Sequence, residues 1–135
     1  MTGMRSVTGM VGRREAGAAV VDFTLVGVLV TLVFVSVVQL AVIEHVHNTL
    51  VDCAGDGARV GALADRSPSD GAARARELVV ADLSSRYAGD IQARRGRFAG
   101  LEVVVVTIRA PLPVLGLLGV GRMLTVEGHA VAEAP

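Results

Sequence analysis

From Phe23 to Ile43 the sequence reads FTLVGVLVTLVFVSVVQLAVI, 21 residues without a single charge. About 20 apolar residues in a helix, rising 1.5 Å each, cross the ~30 Å hydrocarbon core of a bilayer. Val, Ile and Phe are poor helix formers in water, but lipid offers the backbone no other hydrogen-bond partner, so a helix is the only single-segment solution there. Thr24, Thr31 and Ser36 are expected to bond back to their own helix carbonyls. Gln39 falls near the far interface, where an amide is tolerated. The run is longer than the apolar core of a secretory signal, and no small-x-small cleavage site follows closely, so it reads as an anchor that is kept.

Flanking charge sets the expected orientation. Arg5, Arg13 and Arg14 precede the run, opposed by Glu15. Glu44, His45, His47, Asp52 and Asp56 follow before the next arginine, Arg59. The positive-inside rule then puts the N-terminus in the cytoplasm and the C-terminal part outside, in a single pass. What remains, within 135 residues, is enough for one small head. Net charge is zero, and every one of the 13 Lys+Arg positions is Arg. The arginines are scattered and not interleaved with stacking aromatics, so no nucleic-acid surface is expected. One cysteine, Cys53, excludes an internal disulfide and reads as a small packing residue.

Asp22 is the odd residue. It sits just before the uncharged run in GAAVVDFTLVGVLV (Gly17–Val30), with Arg13 and Arg14 upstream. A carboxylate there is either an interfacial partner of the helix dipole or a functional group. Gly17 precedes it by five, and that spacing resembles the class III signal of type IV pilins and pseudopilins. The nearest likeness is to the TadE-like family of tight-adherence pilus pseudopilins, carried also by Gln39 late in the run and by DGARVGAL (Asp56–Leu63). A weaker likeness reaches LTVEGHAVAE (Leu124–Glu133). The resemblance implies cleavage by a prepilin peptidase between Gly17 and Ala18, which makes Asp22 the fifth residue of the processed chain. It implies that Asp22 of one subunit faces the new amine of another, and that the partners are the membrane, the peptidase and other pilin or pseudopilin subunits. The family usually carries Glu at this fifth position, so Asp22 departs from it by one methylene.

Beyond the run, Val46, Leu50, Cys53, Gly57 and Val60 recur at helical steps, so the helix is expected to continue outside the membrane. Gly57-x-x-x-Gly61 fits close helix packing or a frayed end. Arg66 to Gly71 reads as a turn, with Pro68 breaking the helix and Ser69 or Asp70 capping the next. That second helix is expected from about Ala72 to Tyr87, with Ala75, Leu78, Val79, Leu83 and Tyr87 inward and an exposed Arg74–Glu77 pair. Gly89 to Gly100, holding Arg94, Arg95 and Arg97, reads as a basic loop. Leu101 to Arg109 is β-branched and reads as a strand buried on much of both faces, and Met123 to Ala132 reads as a second strand, most simply antiparallel to it. The apolar run Leu112 to Gly121 between them faces either lipid or a neighbouring subunit.

The expected architecture is α+β: a leader (1–17), a transmembrane helix (18–43), its extension (44–64), and a head (65–135) with a second helix and a small antiparallel hairpin or sheet. His45 and His47 are two apart and point in different directions on a helix, so no metal site is expected; the glycines near Gly119 lack a phosphate-loop pattern. No catalytic constellation, cofactor site or small-molecule substrate is indicated. The expected role is a peptidase-processed assembly subunit. The alternative is an unprocessed, membrane-anchored binding domain.

Overall fold

The computed structural model describes residues 8–113 and 121–134, with side chains from Arg14 onward. It divides into two compact units at the Val38–Gln39 boundary. The elements are α1 (Thr8–Ala62), α2 (Pro68–Asp82), a single 3₁₀ turn (Ser85–Tyr87), β1 (Asp90–Phe98), β2 (Leu101–Pro111) and β3 (Met123–Val131). The fold class is α+β, a long apolar helix followed by a second helix and a three-stranded antiparallel sheet of order β1-β2-β3.

The described residues of the first unit, from Thr8 to Val38, are all helical. Every residue from Arg14 to Val38 is exposed, including Phe23 at 81% and Phe34 at 67%. Burial cannot therefore be what holds this stretch helical, and the surrounding medium must supply it. Its hydroxyls behave as the sequence suggests. Thr24 donates to the Val20 carbonyl at 2.8 Å, Thr31 to Gly27 at 2.8 Å and Ser36 to Leu32 at 2.7 Å. Each such bond hides a polar group against its own helix.

The second unit runs from Gln39 onward and has a conventional core. Val46, Leu50, Cys53, Ala54 and Ala58 of α1 pack with Ala75 and Val79 of α2 and with Ile91, Val106, Ile108, Ala110 and Val126 of the sheet. Leu50, Val79, Val106 and Ile108 have no accessible surface. The small α1 residues keep helix and sheet close, so the core is made largely of Val and Ala.

The helix α2 starts at Pro68, earlier than the expected Ala72. Proline at the first helical position loses no bond, because that N–H has no intrahelical partner anyway. Ser67 caps the helix in place of Ser69 or Asp70. Its hydroxyl accepts from the Asp70 N–H at 3.3 Å, and the Asp70 carboxylate accepts from the Ser67 N–H at 2.8 Å, a reciprocal capping box. The Ser67 hydrogen bonds hold the Asp70 carboxyl below its ordinary pKa. The helix stops at Asp82, short of Tyr87, and Leu83 and Tyr87 reach the core from the connection as half-buried residues. Arg74 and Glu77 pair at 2.9 Å with both side chains exposed.

The segment expected as a basic loop is β1. It pairs along its whole length with β2, from Asp90 opposite Arg109 to Phe98 opposite Leu101. Ile91 is buried and Ala93 half-buried, while Arg94, Arg95 and Arg97 are exposed on an edge strand. Charges there are compatible with pairing because they discourage a foreign strand from adding to the edge. The β1–β2 connection is a two-residue turn in which Ala99 (φ 50°) and Gly100 (φ 83°) are both left-handed. That combination matches the type I′ hairpin geometry that suits twisted strands. The strand β2 is covered on both sides: Val103 to Val106 are consecutive buried residues. It pairs with β3 from Val103 opposite Val131 to Pro111 opposite Met123.

Candidate processing and assembly segment

Gly17, Ala18 and Asp22 all lie within α1 and are all exposed. In an α-helix, residues four apart stand one turn above each other on the same face. Ala18 and Asp22 have that relation, so a new amine at Ala18 would emerge one helical turn, ~6 Å along the axis, from the Asp22 carboxylate of its own chain. Among the described residues of the first unit nothing covers that face.

A Cβ built on Gly17 would meet no atom within 4 Å. Its missing side chain therefore serves no packing purpose among the described residues. Glycine lowers helix stability by ~1 kcal/mol relative to alanine. Arg14 is exposed one turn before it; the Arg13 side chain lies outside the described residues. Phe23 opens the uncharged run as its most exposed large apolar residue, and the best window of this helix reaches a mean hydropathy of 2.7 with none of it buried. Length and composition are thus those of a membrane-crossing helix.

At the other end of the run the environment changes. Gln39, Val42 and Ile43 are half-buried. The Gln39 side-chain amide donates to the carbonyl of Pro113, just past β2. Further along α1, two glycines stand against α2. A Cβ at Gly57 would come within 2.7 Å of the Ala75 Cβ and of the Gly71 carbonyl oxygen. One at Gly61 would come within 3.2 Å of the Ser67 carbonyl and of Val104, and within 3.3 Å of the Gly71 Cα. Gly71 meets them from the α2 side, its own Cβ position blocked by the Gly57 carbonyl. The two helices touch backbone to backbone. A fourth glycine, Gly128 of β3, lies so close to Ala54 and Gly55 of α1 that a Cβ would overlap their backbone atoms.

Residues 17–59 match the TadE-like protein family. No curated protein and no solved structure matches the chain significantly. The TadE-like match opens on Gly17 itself and takes in Asp22, the whole uncharged run, Gln39 and Gly57; Arg13, Arg14 and Gly61 fall outside it. It covers about a third of the chain.

Two contact residues carry no plain sequence signal: Gly71 falls in a stretch that reads as a turn, and Gly128 in one that reads as an ordinary strand. The signal for Gly128 is its position: it alternates with Val126 and Ala130 on the inward side of β3, where an isolated glycine marks a close approach of another backbone. Among the described residues no group of three or more His, Cys, Asp or Glu side chains gathers to hold a metal. Cys53 is 2% exposed, and burial, reinforced by Asp82, Asp52 and Asp56, pushes its thiol pKa up, which keeps it protonated and unreactive. A shallow apolar depression of about 220 Å³, lined by Phe98, Val103, His129, Ala130 and Val131, lies on the outer face of the sheet.

Proposed function

We propose that this chain is a TadE-like pseudopilin, anchored by a single pass with its N-terminus in the cytoplasm, cut between Gly17 and Ala18, and built into a tight-adherence pilus or a related secretion assembly. The observation that carries the reading is the coincidence of three features at one place. The family match begins at Gly17, a carboxylate stands five residues on, and the helix that follows is apolar and exposed as far as Val38. An uncovered helix with one carboxylate at its start suits a bundle of identical helices. In that low-dielectric bundle, a new amine at Ala18 and Asp22 of a neighbouring subunit neutralise each other, whereas either alone would be costly to bury.

N-terminal sequencing of the protein extracted from membranes tests the cut. A chain that begins at Ala18 is expected; an intact Met1, or a start near Asp65, would sink the reading and leave the unprocessed binding domain in its place. Gly17→Leu is expected to block processing and leave membrane insertion unchanged. Processing that persists in that variant shows the cleavage position to be wrong.

A further inference from the structure

We infer that the β2–β3 end of the head is itself a lipid contact, seated at the boundary between headgroups and acyl chains beside the last turns of the uncharged run. The inference rests on the reading of Phe23–Ile43 as a membrane span and adds a second membrane-facing surface to it.

Two hydrogen-bonded tethers fix which end of the sheet lies where along α1. At one end Gln39 holds the Pro113 carbonyl. At the other, the Glu133 N–H donates to Ala62 and the neighbouring Ala132 N–H to Glu102. From Gln39 to Ala62 the helix rises ~35 Å at 1.5 Å per residue. From Glu102 to Pro113 the extended chain covers ~36 Å at about 3.3 Å per residue. The lengths agree, so β2 runs back along this part of α1, and its Pro111 end stands level with Gln39. Gln39 is four residues inside the uncharged run. Any lipid that bathes the helix up to Ile43 therefore meets the Pro113 end of the sheet as well.

The residues at that end suit such a place. Leu112 is half-buried, and its N–H donates to the Arg122 carbonyl, which keeps the two strands together up to this point. Met123 is 58% exposed and apolar. Arg122 is exposed beside it, and a guanidinium on a long aliphatic stem reaches phosphate headgroups while its stem stays in the apolar layer. No acidic residue occurs between Pro111 and Val126 in the sequence.

The test places single cysteines in the full chain, reconstituted in vesicles of phosphatidylcholine and phosphatidylglycerol. Met123→Cys reports the proposed contact, Phe98→Cys the opposite end of the sheet, and Val33→Cys the span itself. Cys53 stays in place because it is buried, and the unsubstituted chain gives its background labelling. Each cysteine carries a fluorophore challenged with brominated lipid or with aqueous iodide. The Met123 label is expected to be quenched several-fold more by brominated lipid than the Phe98 label, and to resist iodide. If the Met123 label responds like the Phe98 label while Val33 stays lipid-quenched, the inference is overturned and the span reading survives. If the Val33 label is also open to iodide, the span reading fails and takes the inference with it.

Discussion

Gly128 stands on the side of β3 that faces α1, where any side chain would run into the backbone of Ala54 and Gly55. Backbone cannot rotate away as a side chain does, so the helix and the strand would have to separate. Gly128→Ala is expected to cost about 1–3 kcal/mol, the usual range for overpacking, read as a lower thermal midpoint of the detergent-solubilised protein. An unchanged midpoint would show that the contact is looser than described. Ala99 presents the opposite case. It holds φ at 50° in the β1–β2 turn, a left-handed conformation that costs an L-residue with an ordinary side chain ~1 kcal/mol or more. Ala99→Asn creates the Asn-Gly pair that type I′ turns favour and is expected to raise stability by roughly 0.5–1 kcal/mol in the same assay. Neither position was legible in the sequence. The collision partner of Gly128 is supplied by a helix far upstream, and Ala99 is an atypical residue for the turn it makes.

At the scale of elements, the cap of α2 is the clearest local device. Ser67→Ala removes the side-chain half of the capping box and is expected to cost ~1 kcal/mol, measurable by denaturant unfolding. The pH dependence follows from Asp70, whose folded pKa is depressed first by the Ser67 hydroxyl and then by its backbone N–H. A depressed carboxyl stabilises the fold above its unfolded pKa and loses that contribution as pH falls through the lower folded value. The gain is thus intact at neutral pH and disappears in acid, below the ordinary range for aspartate. Comparing unfolding midpoints of the parent and Asp70→Asn at pH 7 and pH 3 checks the sign: the gap should close in acid. The sequence shows this cap only in part. Pro68 looks like a stop signal because proline ends helices, and only the position of Ser67 just ahead of it turns it into a start. The strand β1 was hidden for a related reason. Three arginines in ARRGR (Ala93–Arg97) look like a solvated loop, and edge strands carry the same charges. Its inward pattern of Ile91 and Ala93 is too short to stand out.

Across the whole molecule, the long-range periodic signals were the readable ones. The uncharged run, the Gly17–Asp22 spacing and the stripe Val46, Leu50, Cys53, Gly57 all stand in one stretch of chain, and the structure makes that stretch one helix. The order of the sheet and the seating of β3 on α1 were not readable, because they depend on residues brought together from distant parts of the chain. The role of Asp22 also belongs to this scale, since it concerns an array of chains. Under the proposed function, Asp22→Ala is expected to be inserted and cut normally but to be lost from sheared pilus fractions, and Asp22→Glu to be retained. Immunoblots of membrane and sheared fractions check this, and normal assembly of Asp22→Ala would remove the carboxylate from the assembly role.

The helix α1 contributes Val46, Leu50 and Cys53 to the head core. Within the second unit the part of α1 from Gln39 to Ala62 is hydrogen-bonded to the rest of the head at both ends, so a pull along this part of the helix is delivered into the packed seam between it and the elements that cover it. The tethers at Pro113 and Glu133 lie at opposite ends of that seam, so the load acts along it and strains many contacts together, without peeling them apart singly. A subunit built this way would resist a pull as a sheared joint does, giving way at high force and all at once.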